Sequence, residues 1–134
     1  MLVVDASTTL EWFLPAQMSS SAAAALKIVR RSWIVVPSIW VFETQNAILK
    51  MVRQRRLSSA EAQEARLELS LIGARAAAPP DGEAVGRIWE ISVHQMMSFY
   101  DASYVELAWH LKLPLASSDG AIRAAAARLG IRLV

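Results

Sequence analysis

The chain contains no cysteine, which excludes a disulfide framework, a thiolate zinc site and a cysteine nucleophile, and suits a reducing compartment. It has only two histidines, His94 and His110, neither set in a pattern with serine that would make a catalytic pair. Both read as structural or surface residues. No apolar run approaches the roughly 20 residues that a bilayer span requires. Met1-Leu2-Val3-Val4-Asp5 meets an acid at once, without the basic start and long apolar stretch of a secretory leader, so a soluble, cytoplasmic protein with no membrane association is expected. There is no internal repeat, linker or low-complexity tail.

The 134 residues suit one domain spanning 1–134, large enough to bury a core without a structural metal. The hydrophobic share of 54%, with five tryptophans, is high, so an interface with a second copy or a partner protein is expected. Trp40, Trp89 and Trp109 read as core or interface residues rather than base-stacking ones. The net charge of +2 conceals an asymmetry: with four candidate site acids set aside, 14 basic groups face eight acidic ones. A basic body around an acidic pocket suits a polyanionic substrate, although an ordinary, mildly basic surface is the plainer account of the charge alone.

Strand and helix patterns alternate along the chain. Leu2–Val4 reads as a buried strand, with Ser7 and Thr8 capping a short helix that Pro15 stops. An Ala-rich helix follows over about 19–31, then a strand over Trp33–Val36 and a helix from Pro37-Ser38 to about Arg55. Ser58 and Glu61 make a capping-box pattern for a helix to about Ile72. A weak strand over 74–78, the turn Pro79-Pro80-Asp81-Gly82 and a helix over 83–93 come next. His94 to Tyr100 reads as a loop, Asp101 as the start of a helix to about Leu111, Leu113–Ser117 as a strand, 120–129 as a helix and Ile131–Val134 as a last strand. The alternation predicts an α/β sandwich with a mainly parallel sheet.

In such sheets ligands bind beyond the carboxyl ends of the strands. Asp5 follows the first strand and Asp119 follows the Leu113–Ser117 strand, so both are aimed at one edge. Asp101 opens a helix. Glu43 is the sole acid in the strongly apolar helix half Ser38–Leu49, where a carboxylate is costly without a partner. Glu61, Glu64 and Glu68 repeat beside Arg66 as a solvated face. Two carboxylates about 5 Å apart repel by roughly 3 kcal/mol at an effective dielectric near 20. A cluster of four therefore needs a cation or protons, and an all-oxygen set selects Mg²⁺ or Mn²⁺. Each acid also has a plainer role open to it. Asp5 and Asp101 suit helix caps, Asp119 suits the Ser117-Ser118-Asp119-Gly120 turn, and Glu43 suits an arginine partner. Arg53, Arg55 and Arg56 form a basic helix end, suited simply to the helix dipole or, less directly, to the phosphates of a polyanion.

These residues carry a resemblance. Val3-Val4-Asp5-Ala6-Ser7 with Trp12-Phe13-Leu14-Pro15, Pro37-Ser38 leading to Glu43, Tyr100-Asp101-Ala102-Ser103-Tyr104 with Leu107-Ala108, and Leu113-Pro114-Leu115-Ala116-Ser117-Ser118-Asp119 resemble, in order, the four motifs of the PIN-domain ribonucleases, and among them the VapC toxins of bacterial toxin–antitoxin pairs. The resemblance implies a three-layer α/β/α sandwich around a mainly parallel sheet of four to five strands. It implies an endoribonuclease in which Asp5, Glu43, Asp101 and Asp119 are catalytic and hold Mg²⁺ or Mn²⁺, assisted by Ser7 and Ser117. It also implies a homodimer with an RNA substrate and a cognate antitoxin. Ser117 stands where the family commonly has threonine, and Asp119 precedes Gly120-Ala121 rather than a charged residue. Two alternatives compete. One is a catalytically inactive binding module on the same fold. The other is a receiver-type signalling domain, against which Asp5 lacks an acidic neighbour and Lys112 precedes rather than follows its strand.

Overall fold

Leu2, Val3 and Val4 are fully buried, and this run of aliphatic side chains forms the strand β1 (Leu2–Val4). A strand apolar on both faces belongs inside a parallel sheet covered by helices. The computed structural model, which describes residues 1–134, puts it there. β1 pairs in parallel with β2 (Ile34–Val36) on one side and β4 (Leu115–Ala116) on the other. β3 (Ala74–Ala76) pairs in parallel with β2, giving the order β3-β2-β1-β4.

The helices are α1 (Ala6–Glu11), α2 (Ser20–Val29), α3 (Trp40–Arg53), α4 (Ser59–Leu71), α5 (Gly82–Gln95), α6 (Phe99–Leu111) and α7 (Gly120–Arg128), with a 3₁₀ turn at Pro15–Gln17. The parallel sheet flanked by helices is the α/β architecture expected from the sequence. Its core is one cluster of 25 buried residues in which Tyr104, Val105 and Ala108 of α6 meet β1 and β4. No helix is long and apolar enough to cross a membrane.

Several boundaries differ from the sequence reading, each for a local reason. Asp5, not Ser7 or Thr8, caps α1: its Oδ1 accepts from Thr8 N at 2.7 Å. Pro37–Ile39 form a turn rather than helix, and α3 starts at Trp40, whose N–H donates to Pro37 O at 3.0 Å. The region expected to be a loop over 94–100 shrinks to three residues, Met96 to Ser98. Met96 adopts a left-handed conformation (φ 52°) that stops α5, and Ser98 caps α6, so Asp101 lies in the first turn instead of opening the helix. The last strand is a single bridge between Leu133 and Leu115, because the two-residue β4 has no length left to pair. Ser21 Oγ and an Arg123 guanidinium nitrogen donate to Val134 O at 2.7 and 3.3 Å and hold that terminal segment. The Ser58–Glu61 capping box forms as read from the sequence. Trp40 is buried as core, whereas Trp89 and Trp109 are exposed, as are His94 and His110.

Candidate active site at the carboxyl edge of the sheet

The strand order reverses direction between β1 and β4, since the chain first builds outward through β2 and β3 and then returns to the other side of β1. Such a switch point leaves a crevice at the carboxyl ends of the strands. Asp5 follows β1 there, and Ser117 follows β4. The Ser117 hydroxyl donates to Asp5 Oδ2 across the crevice at 2.5 Å and accepts from Asp119 N at 3.1 Å. One small side chain thus ties together the two strand ends that form the crevice.

Asp5 is buried to 2% exposure with both carboxylate oxygens hydrogen-bonded. Burial pushes its carboxyl above the ordinary range, against the pull of hydrogen bonds from Ser117, Thr8 and Ser7. Glu43 sits in the first turn of α3, half-buried, where Tyr104 Oη donates to its Oε2. Burial raises Glu43 as well. The Tyr104 hydrogen bond opposes the rise, and the charges of Asp101 and Asp5 add to it. Tyr104 lies one helical turn beyond Asp101 on α6, and its phenol is pushed far above the ordinary range by burial and by Glu43. Asp5, Glu43 and Asp101 therefore form one electrostatically coupled group. Three chain segments far apart in sequence meet there.

Asp119 lies at the rim. It caps α7, its Oδ1 accepting from Ala121 N and Ile122 N at 2.8 and 2.9 Å, and it is exposed. Ser7 is exposed beside Asp5. Arg53, Arg55 and Arg56 are exposed at the far end of α3, about 15 Å along the helix axis from Glu43. The structure does not bring them to the carboxylates. All four acids lie at helix N-termini, whose partial positive charge offsets part of their mutual repulsion.

As the side chains stand, no three acidic or histidine groups close into a metal-holding set. Two of them are drawn to separate protein partners, Asp5 to Thr8 and Ser117 and Glu43 to Tyr104. The donor set nonetheless fits a hard divalent cation. It is all oxygen and partly desolvated, its members repel one another, and Glu43 Oε1 and the Asp101 carboxylate accept no hydrogen bond from the protein.

Sequence reading did not give Tyr104, Thr8 or Ser118 a part in the site. Thr8 Oγ1 accepts from Ser118 N at 2.9 Å and so fastens the β4–α7 loop onto α1. Tyr104 had a readable signal, a polar-tipped aromatic one turn after a candidate acid. Thr8 and Ser118, 110 residues apart, had none.

Residues 2–128 match the PIN domain family model. The chain belongs to the PIN domain family. PIN domains are generally nucleases, and those nucleases usually use Mg²⁺ or Mn²⁺. Among solved structures, the PIN fold of this chain is similar to the crystal structure of PAE2754 from Pyrobaculum aerophilum, with a TM-score of 0.71 at 23% identity, over 99% of this chain and 83% of that one. At that identity the likeness is one of fold. A comparison with curated proteins gives no match.

Proposed function

We propose that this PIN domain is an endoribonuclease that hydrolyses RNA phosphodiester bonds with Mg²⁺ or Mn²⁺, and that it acts as the toxin of a toxin–antitoxin pair restrained by a cognate antitoxin protein. The observation that carries the reading is the coupled group of Asp5, Glu43 and Asp101 at the switch-point crevice. Asp5, Glu43 and Asp101 would hold the cation, with Asp119 reaching in from the rim. When bound, the cation supplies charge neutralisation at the phosphodiester and a more acidic water.

The chain's own residues prepare that chemistry. Ser117 and Thr8 hold Asp5 in one orientation. Tyr104 holds Glu43 by one oxygen and leaves the other open. Glu43, with one carboxylate oxygen left open, would take the proton of the attacking water. Water oxygen bonds to phosphorus, one phosphorus–oxygen ester bond breaks, and a proton ends on the leaving oxygen. The excess of basic over acidic groups outside the cluster supports a polyanionic substrate.

A homodimer is part of the reading. Val85, Trp89, Val93 and Met96 form an exposed apolar stripe along α5, a surface of the kind that a second subunit covers.

Incubating the chain with total RNA tests the catalytic reading. Cleavage is expected to need Mn²⁺ or Mg²⁺ and to fall in Asp5→Asn and Asp101→Ala by more than the roughly 100-fold that losing a mere supporting residue costs. Expression of the wild type, but not of Asp5→Asn, should arrest growth. Undiminished cleavage by Asp5→Asn overturns the assignment.

A further inference from the structure

A groove of about 640 Å³ opens at the same edge of the sheet, between the first half of α5, a face of α6 running from Phe99 to Leu111, and the segments that follow β2 and β3. Its walls include Pro79, Pro80, Ile88 and Leu107. Tyr100, exposed at its rim, also lines the shallow hollow that contains Glu43, and Tyr100 directly precedes Asp101. Ile39 and Tyr100 line both, so the groove adjoins the hollow at Glu43.

The groove is lined by a charged pair that the proposed chemistry does not use. Glu106, with a side chain only 7% exposed, accepts at Oε1 from Arg87 Nε at 2.8 Å. Its Oε2 accepts nothing from the protein. No buried side-chain polar atom in the molecule lacks a partner, so Oε2 is open to the groove it lines. Arg87 is similarly half-used: its nearest other acid, Glu83, is 3.9 Å away, too far for a hydrogen bond. A nearly buried carboxylate with one free oxygen, beside a guanidinium with free donors, is costly unless something completes it.

We infer that this groove is a base subsite that takes a guanine of the RNA strand beside the bond to be cut; the inference rests on the nuclease reading above. Guanine presents two adjacent N–H donors, on N1 and N2, to a carboxylate, with the acceptor O6 beside them for a guanidinium. Adenine and cytosine offer a ring acceptor where a donor is needed, and uracil flanks its single N–H with two carbonyls. The apolar walls take the faces of the ring, and Tyr100 offers a stacking surface at the entrance. Glu106 lies about 7.5 Å beyond Asp101 along the α6 axis and about 140° around it, so a strand that reaches both must pass over the Tyr100 rim.

The test is a titration of the full chain in EDTA with each of the four nucleoside 5′-monophosphates, followed by NMR shift mapping. Guanosine monophosphate is expected to bind about tenfold tighter than the other three, with shifts around Arg87, Tyr100 and Ser103. Glu106→Gln, which keeps an acceptor for Arg87 but turns a donor to the groove, should erase that preference. Arg87→Lys, at a half-exposed position, should do the same and serves where Glu106→Gln fails to fold. Equal binding of all four nucleotides, binding of none, or a guanine preference that survives both variants overturns the inference. Filling of the groove by an apolar peptide with no response to any nucleotide also overturns it and assigns the groove to a protein partner. Guanine binding without cleavage of any RNA overturns the nuclease reading and leaves the groove a guanine site with no bond to be cut beside it. RNA cleavage with neither base preference nor guanine binding overturns the subsite alone.

Discussion

Glu43 illustrates how a single side chain couples site and stability. Burial and the charges of Asp101 and Asp5 hold its carboxyl above the ordinary range in the folded chain. The folded state therefore binds more protons than the unfolded state from about pH 4 upward, and folding stability falls as pH rises through that window. Asp5 acts in the same direction, whereas Glu11 and Glu61, whose carboxyls are lowered, act in the opposite one. The informative quantity is consequently a difference between variant and wild type. In EDTA, Glu43→Gln should lose less stability than wild type between pH 4.5 and 7.5 and should melt at a higher temperature at pH 7.5. Melting curves across that range check this, and parallel curves for the two proteins contradict it. The sequence showed Glu43 as an acid without an evident reason to lie in an apolar helix. That its reason is Tyr104 on one side and two carboxylates on the other is a tertiary fact.

At the scale of elements, each acid depends on how its helix begins. Ser98 Oγ accepts from Asp101 N at 3.0 Å, so the cap that ends the three-residue turn after α5 also orders the turn of α6 bearing Asp101. Ser58 caps α4 by the same chemistry, away from the carboxylates. Ser98→Ala and Ser58→Ala should each cost about 1 kcal/mol of stability, the usual loss for such a cap. Only Ser98→Ala should also weaken RNA cleavage and Mn²⁺ binding, each about tenfold. Denaturant unfolding and Mn²⁺ titration of the pair separate the effects, and equal activity of the two variants would contradict the link. The Ser58 capping box was legible because both partners lie within four residues. The Ser98 cap was missed because Phe99 and Tyr100 extend the helix ahead of an aspartate that itself makes a good cap.

For the whole molecule, the arrangement of exposed apolar surface is the open variable. The α5 stripe leaves Trp89 60% and Met96 92% exposed, so no part of this chain covers it. In sedimentation the wild type is expected to run as a dimer and Trp89→Glu as a monomer with an unchanged circular dichroism spectrum. A dimer that survives Trp89→Glu places the interface elsewhere. A stable association requires about 1,200–2,000 Å² of buried surface, more than one helix stripe supplies, so neighbouring residues must join it.

The sequence alone determined the alternation of strands and helices, the burial of β1 and which acids stand apart from the solvated helix faces. Aliphatic runs, capping residues and isolated charges act over a few residues and leave a readable pattern. It also placed Asp5 at the carboxyl edge, because an acid directly after a buried parallel strand can point nowhere else. Only the tertiary structure decided which acids share one electrostatic environment. It coupled Glu43 with Asp5 and Asp101, set Asp119 at the rim as a helix cap and left the Arg53–Arg56 cluster at the opposite end of α3. It likewise joined Glu106 to Arg87 beside a groove that no local pattern announces. The physical reason is the same in each case. Proximity between distant segments is set by strand order and helix packing, and those depend on how the whole core closes.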